Sequence, residues 1–200
     1  MFKSVFAAAV AFVAVPAFAQ GTPENFNGPF IGAQAGWQQD RQTLQVGNTE
    51  ASAKSDGFAY GGQVGYDFRL SPSTVLGAEV SLTGRSGDAA FDDFDLSTGR
   101  TINATARLGY VIDPQGLIYV RGGYSNARFT IDDGVDRISE NRDGYTLGAG
   151  YERMLATNVS ARLEYNYSNF GSDDLSAVVG PNAELDYSRH AVTAGVNFRF

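Results

Sequence analysis

The chain carries few side chains that are suited to covalent chemistry. It has no cysteine and a single histidine, His190, which excludes a thiol nucleophile and a thiolate metal site. Glu152, Arg162 and Glu164 could in principle form an acid–base group, but hydrolytic chemistry also needs a nucleophile or an activated water beside a base. His190 lies on the apolar side of the last predicted strand. We therefore predict no catalytic residue, no enzymatic activity, no cofactor and no metal site.

The same acids belong to a larger set of charged residues whose signs balance. Four carboxylates and four arginines share the polar side of the predicted strands with Gln34 and Gln63. Guanidinium groups can bind several acceptors at once, which suits a narrow enclosed space. We predict that an interior network of paired ions is formed by Asp67, Glu79, Arg107, Arg121, Glu152, Arg162, Glu164 and Arg199.

Strands must position these residues, because polar and apolar side chains alternate with a period of two along most of the chain. Most of the alternating runs contain ten or more residues, whereas globular strands usually contain five or six. A strand that crosses a bilayer at a tilt needs roughly 9–11 residues. The pattern predicts eight strands, at 29–37, 57–69, 74–84, 100–111, 116–127, 143–154, 158–169 and 187–200.

The connections between these runs alternate in length. Tight turns at 70–73, 113–115 and 155–157 alternate with long polar segments. Long loops at one end and tight turns at the other are typical of outer-membrane barrels. The sequence thus predicts an all-β fold, an eight-stranded antiparallel up-and-down transmembrane β-barrel.

Alternation alone does not exclude a soluble barrel, so the contents of the two faces decide the orientation. In the last run, Val196 and its apolar neighbours alternate with Thr193 and Arg199. Soluble barrels usually expose lysine, but only Lys54, in a predicted loop, follows the N-terminal region. A charge turned towards lipid would cost up to about 2–4 kcal/mol at the midplane. The apolar face is therefore predicted to point outward.

Aromatic residues fall near both ends of the predicted strands, as expected for two interfacial girdles. Core aromatics would instead cluster in the middle of the strands. The predicted girdles comprise Trp37, Tyr60, Tyr124, Tyr145 and Tyr167 near the long loops, and Tyr66, Phe68, Tyr110, Tyr151, Phe198 and Phe200 near the tight turns.

The N-terminal residues have the features of an export signal. Lys3 precedes an apolar stretch from residue 4 to 15, and Ala17-Phe18-Ala19 is a small-x-small cleavage site. We predict a signal peptide at 1–19 and a barrel domain at 20–200. The net charge of −7 argues against nucleic acid as a partner.

The predicted long loops contain most of the acidic clusters. Divalent-cation binding, or bridging to lipopolysaccharide, is one interpretation, because hard cations prefer several carboxylate oxygens. The spacing does not match a calcium-binding loop, and we favour solvated acidic loops. The clusters are Asp88, Asp92, Asp93 and Asp95, followed by Asp132, Asp133 and Asp136.

The chain resembles the small eight-stranded outer-membrane barrels of Gram-negative bacteria. The resemblance is carried by the motifs GPFIGAQAGW, GGQVGYDF, LGAEVSL, TARLGYV, YVRGGYSNARF, GYTLGAGYERM, RLEYNYSNFG and GVNFRF. These barrels form the OmpA/OmpX-like superfamily, and within it the chain most resembles the outer membrane protein beta-barrel domain or the opacity-type porin-family surface antigens. The resemblance covers nearly all of the chain from Pro29 to Phe200. It implies that the barrel-assembly machinery reads Phe200, and that outer-membrane lipid and lipopolysaccharide surround the barrel.

An eight-stranded barrel is just wide enough inside for side chains to fill it. We therefore expect an integral outer-membrane protein with a structural or surface-interaction role, which displays four acidic loops to an unknown extracellular ligand. A narrow porin-like channel for ions or small solutes is the alternative, and an outer-membrane enzyme is a more distant one.

Overall fold

The fold is described from a computed structural model, which describes residues 25–46, 49–86, 90–91, 94–132, 137–174 and 183–200. The predicted signal peptide at 1–19 lies outside these residues. The strands are β1 (Gly28–Val46), β2 (Thr49–Arg69), β3 (Thr74–Ser86), β4 (Ala90–Phe91), β5 (Phe94–Asp113), β6 (Gly116–Asp132), β7 (Arg137–Ala156), β8 (Val159–Asp174) and β9 (Ala183–Arg199). Within the described part of the chain, no helix is long and apolar enough to cross a membrane.

Eight long strands form one closed antiparallel ring. Each long strand pairs with the next long strand in sequence, so that β3 pairs with β5, and β9 returns to pair with β1. β4 is a two-residue strand that pairs only with the beginning of β5. Within the ring, closure pairs each long strand on both sides, so no sheet edge faces lipid. Beyond the ring, among the described residues, β2 pairs only with β1 before Phe58, and β7 pairs only with β6 before Tyr145. The predicted eight-stranded antiparallel barrel is confirmed.

Tight turns connect the strands at one end of the barrel, which we call the short-turn end. Ser71 Oγ accepts hydrogen bonds from the backbone N–H groups of Ser73 and Thr74. Asp113 Oδ1 accepts one from the backbone N–H of Gln115 at 2.8 Å. These short side chains mimic backbone turns and fix the register of the strands that follow.

The strands extend much further at the opposite end, which we call the long-hairpin end. The sequence predicted a polar loop at 38–56, but β1 and β2 remain paired as far as Val46 and Thr49. Lys54, which was predicted to lie in a loop, therefore lies in β2. The predicted boundary was wrong because it was placed where apolar and polar residues stop alternating. Alternation stops at the edge of the membrane, whereas the backbone pairing of the two strands continues into water.

Side chains divide between the two faces as the alternation predicts. The outward face carries large apolar residues that are about half exposed in the isolated barrel, such as Ile31, Val80, Leu108 and Leu163. The inward face is polar along most of its length. Small apolar clusters form inside at both ends. Phe26, Val75, Leu117, Tyr119 and Met154 lie at the short-turn end, and Ala127, Phe170 and Tyr187 lie nearer the long-hairpin end.

Candidate functional site

The candidate site is the interior of the barrel. Each of the eight residues proposed for the ion network lies there, with at most 7% of its surface exposed. They form two layers. The layer nearer the short-turn end contains Asp67, Arg107, Glu152 and Arg199, and the middle layer contains Glu79, Arg121, Arg162 and Glu164.

In the first layer, two arginines share two carboxylates. Arg107 binds both oxygens of Asp67, with its Nε 2.8 Å from Oδ1, and donates to Glu152 Oε2 at 2.9 Å. Arg199 donates to Asp67 Oδ2 at 2.7 Å and to Glu152 Oε1 at 2.6 Å. Ser160 Oγ also donates to Glu152, at 2.5 Å. The charges of this layer therefore cancel within a closed ring of contacts.

The middle layer spans the full width of the barrel. Arg162 of β8 donates to Glu79 Oε2 of β3 at 2.5 Å, and these two strands lie on opposite sides of the eight-stranded ring. Arg121 joins Glu79 to Glu164, at 3.0 and 2.7 Å. The hydroxyl of Tyr119 donates to Glu164 at 2.7 Å. Two cations thus neutralise two anions across the lumen.

A third polar layer, which the sequence analysis did not identify, lies nearer the long-hairpin end. Asp40 pairs with Arg189 at 2.6 Å and with Arg85 at 2.9 Å. Arg189 of β9 also donates to Thr101 of β5 at 2.7 Å, which is again a contact between opposite walls. Asp40 was missed because it lay in a stretch predicted as a loop, although it has the same parity as Gln34.

Inward aromatic rings pack against the guanidinium groups of the first layer. The Cζ atom of Arg107 lies 4.8 Å from the ring centroid of Phe30 and 5.2 Å from that of Tyr119. Contacts of this kind add cation–π attraction to the ion pairs. The parity of the strands could have revealed both rings, since Phe30 has the same parity as Gln34, and Tyr119 the same parity as Arg121.

Two glycines make room for these inward rings. Gly65 lies opposite Phe30, and Gly150 lies opposite Tyr119. A Cβ atom would be 2.4 Å from the Phe30 ring at the first position and 2.5 Å from the Tyr119 ring at the second. Glycine at these positions therefore allows large rings to fill the narrow end of the lumen.

The residues before β1 close the short-turn end. Phe26 is fully buried, with its ring 5.2 Å from Arg199 Cζ, and its φ of 61° is unusual for a residue with a side chain. Arg69 holds this segment by donating to the carbonyl of Asn25 at 2.9 Å. The side chain of Asn25 donates to the Pro114 carbonyl at 2.6 Å. Phe26 thus covers the first ion layer.

Between the middle and third layers lies a polar cavity of about 50 Å³. Its walls include Gln34, Ser81, Arg121, Glu164 and Arg189. A water molecule needs about 10–15 Å³ of such space, so the cavity holds only a few. Ion layers bound it on both sides.

The side chains considered for catalysis do not form a reactive group. Glu152 and Glu164 accept hydrogen bonds from different arginines in different layers. His190 lies on the outer face, where its Nδ1 is 2.7 Å from the hydroxyl oxygen of Tyr165 and its ring is 5.1 Å from that of Tyr167.

Other predicted sites lie at the ends of the barrel. Phe200 is 70% exposed beside Phe198 on the outer surface, and its backbone N–H donates to the Pro29 carbonyl at 3.1 Å. Of the acidic clusters, only the backbones of Asp95 and Asp132 are described, opposite each other on β5 and β6. The other acids of these clusters, Asp88, Asp92, Asp93, Asp133 and Asp136, lie outside the described residues.

Comparison with protein families and curated relatives gives a consistent result. The family model described as "Outer membrane protein beta-barrel domain" matches residues 5–200. A "22 kDa outer membrane protein" of Rhizobium leguminosarum bv. viciae is 31% identical over 152 residues, which are 72% of this chain and 67% of that protein. The "25 kDa outer-membrane immunogenic protein" of Brucella abortus is 25% identical over 187 residues, which are 93% of this chain and 85% of that protein.

Solved structures with the same fold include two bacterial surface proteins. Neisserial surface protein A superposes with a TM-score of 0.57 and 18% identity, over 87% of this chain and 98% of that one. The attachment invasion locus protein of Yersinia pestis gives a TM-score of 0.51 and 16% identity, over 86% and 99% of the two chains. At these identities the likeness concerns the fold alone.

Proposed function

Because this chain belongs to the outer membrane protein beta-barrel domain family, it is an outer-membrane β-barrel, and we propose that it is a closed barrel with a structural and surface-interaction role. The proposal has two parts. The polar layers plug the lumen, and the long-hairpin end presents the interacting surface to the outside of the cell.

The contacts between opposite walls support the proposal that the polar layers plug the lumen. Arg162 reaches from β8 to Glu79 on β3, and Arg189 reaches from β9 to Thr101 on β5. A solute that passes along the axis would have to separate buried guanidinium and carboxylate groups. Removing one partner from a buried pair costs about 3–5 kcal/mol. Separating the pairs of even one layer would therefore cost several times the thermal energy.

The length and polarity of the hairpins support the second part. β1 and β2 extend well beyond the outer aromatic residues Trp37 and Tyr60 before they reach Val46 and Thr49. Outer-membrane barrels usually place their long connections outside the cell. Relatives named as immunogenic outer-membrane proteins, and a neighbour named for attachment and invasion, fit a role at the cell surface.

Conductance in planar bilayers tests the plug. We expect the unaltered protein to give no steady conductance. The double variant Glu79→Ala/Arg162→Ala should conduct, because a contact between opposite walls is lost. Leu163→Ala, on the lipid-facing side of the same strand, is the matched control and should stay closed. A steady large open state of the unaltered protein would refute the closed barrel.

A pull-down tests the surface role, with the folded barrel as bait and the extracellular material that surrounds the cell as the source of partners. The bait is the intact folded barrel, and the comparison is a version in which residues 42–53 of the first hairpin are replaced by a tight turn. We expect the shortened barrel to lose bound partners while its folded form is retained. Identical captured material from both proteins would contradict a role for this hairpin.

A narrow channel is the second candidate, and the 50 Å³ polar cavity is the observation in its favour. It requires the layers on both sides to open in the native protein. The conductance experiment separates the two functions, because a narrow channel gives small steady currents without any substitution. Catalysis is not proposed, since Glu152 and Glu164 are bound by arginines and His190 faces outward.

A further inference from the structure

Four basic residues form two directly opposed pairs on the outer surface of the barrel. Arg41 of β1 lies opposite Lys54 of β2, and Arg100 of β5 lies opposite Arg128 of β6. All four side chains are exposed. Like charges that face each other across antiparallel strands are destabilising. Two such pairs on one small barrel therefore favour an anion that lies between their cations.

Both pairs lie at the same height above the outer aromatic girdle. Arg41 follows the outward-facing Trp37 by four residues, and Arg128 follows the outward-facing Tyr124 by the same number. Four residues of a strand tilted by about 40° rise about 10 Å along the membrane normal. Interfacial aromatics mark the headgroup level, and long basic side chains can bend back towards it. Both pairs can therefore reach lipid phosphates.

The outward carboxylates nearest the pairs are engaged elsewhere. Asp56 accepts a hydrogen bond from Gln39 at 3.0 Å. Asp143 accepts hydrogen bonds from Tyr124 and, at 2.7 Å, from Asn126.

A third carboxylate, Asp186, lies one outward position beyond Arg41 on the neighbouring strand, opposite Thr43. Among the described residues, no ion pair joins a carboxylate to Arg41, Lys54, Arg100 or Arg128. The charges of both pairs are therefore available to a ligand.

The direction of the side chains favours lipid over a soluble polyanion. The four basic side chains point outward from the barrel wall, on the same face as the apolar residues below them. On that face Trp37 lies opposite Phe58, and Ala104 lies opposite Tyr124. A lipid whose chains cover this wall places its headgroup beside the pairs. A soluble polymer would instead meet the hairpin tips first.

We propose that the pairs Arg41–Lys54 and Arg100–Arg128 bind phosphate groups of outer-leaflet lipids, one phosphate between the two cations of each pair. This site rests on the proposed function, because the orientation with the long-hairpin end outside the cell places both pairs in the outer leaflet. It would hold a phosphorylated glycolipid at two places on the barrel wall.

The test measures binding of diphosphorylated lipid A to the refolded full-length mature barrel in a neutral detergent, by native mass spectrometry. The variant Arg41→Gln/Lys54→Gln/Arg100→Gln/Arg128→Gln removes all four charges. We expect the affinity to fall about fivefold for each charge removed, which corresponds to about 1 kcal/mol per basic residue at an anionic surface. Dephosphorylated lipid A should bind the unaltered protein as weakly as the intact lipid binds the variant.

Two variants control for charge and folding. Arg153→Gln removes an exposed outward cation at the short-turn end and should leave binding unchanged. Arg100→Lys/Arg128→Lys keeps both charges and should bind within a few-fold of the unaltered protein. Each protein is first checked as a folded barrel by its altered migration on an unboiled gel. If the fourfold variant does not fold, Arg41→Gln/Lys54→Gln alone provides the comparison.

Three results would overturn the site: equal binding by the charge-deficient variant, equal binding of dephosphorylated lipid A, or charge-dependent binding of dextran sulfate without binding of lipid A. The last result would assign the pairs to a soluble polyanion. Failure of this site would leave the conductance of the closed barrel unchanged. A wide open channel would contradict the proposed function whether or not lipid A binds.

Discussion

Replacing Glu152 by glutamine removes one buried negative charge without changing the size of the side chain. Glu152 is fully buried and accepts hydrogen bonds from Arg107 at 2.9 Å, Arg199 at 2.6 Å, Ser160 at 2.5 Å and Asn197 at 3.1 Å. In Glu152→Gln, two arginines share the single carboxylate of the first layer, and an amide N–H₂ replaces an acceptor oxygen. The first layer then carries a net positive charge.

The expected loss in free energy of unfolding is about 3–5 kcal/mol, the cost of leaving a buried charge without its partner. Titration with urea in detergent micelles measures it, with the folded fraction read from the fast-migrating band of unboiled samples. Asp113→Asn is the matched control, because Asp113 lies 3.8 Å from Arg153 at an exposed position, where ion pairs contribute little. A loss below about 1 kcal/mol for Glu152→Gln would refute a closed, charge-paired interior.

Three further changes test the short-turn end of the barrel. Phe26→Ala should lower the free energy of unfolding by about 3 kcal/mol in the same titration, because a fully buried ring is lost, and an unchanged midpoint would contradict its role as a cover. Gly150→Ala should cost about 1–3 kcal/mol, since its Cβ would collide with the Tyr119 ring, whereas Ala149→Gly on the outer face should cost less than Gly150→Ala. Deleting Phe200 should reduce the amount of protein in outer-membrane fractions relative to Phe198→Leu, and equal amounts would remove its proposed role as an assembly signal.

The sequence was sufficient to predict the barrel because lipid imposes a strict pattern. Leu163 and Val196 must face outward and Arg162 and Asn197 inward, and a shift of one residue would reverse every one of them. Strand number and direction follow from this alternation and from the spacing of the turns. The pattern weakens above the membrane, where both faces meet water. For that reason the end of β1 was placed too early and the start of β2 too late.

The same limit explains one of the interior residues that were missed. Arg107 and Glu152 belong to strands with clear alternation, so their inward direction could be read from their neighbours. Asp40 lies in the stretch that was predicted as a loop, so no strand parity was assigned to it. Arg189 lies within the strand predicted at 187–200 and has the parity of Arg199, so its inward direction could have been read from the sequence. Which cation meets which anion could not be predicted at all, since the pairing of Arg162 with Glu79 depends on two strands on opposite sides of a closed ring.

In the folded barrel the apolar face meets lipid while the polar face lies in a closed interior. The chain has no cysteine, so Val80→Cys and Ser81→Cys each introduce a single reactive thiol at adjacent positions, 50% and 2% exposed in the native barrel. The measurement is labelling of both variants by a thiol reagent confined to the bilayer. We predict rapid labelling at position 80, and labelling at position 81 only after unfolding. Labelling of the folded barrel at position 81 but not at position 80 would show that the two faces point the other way.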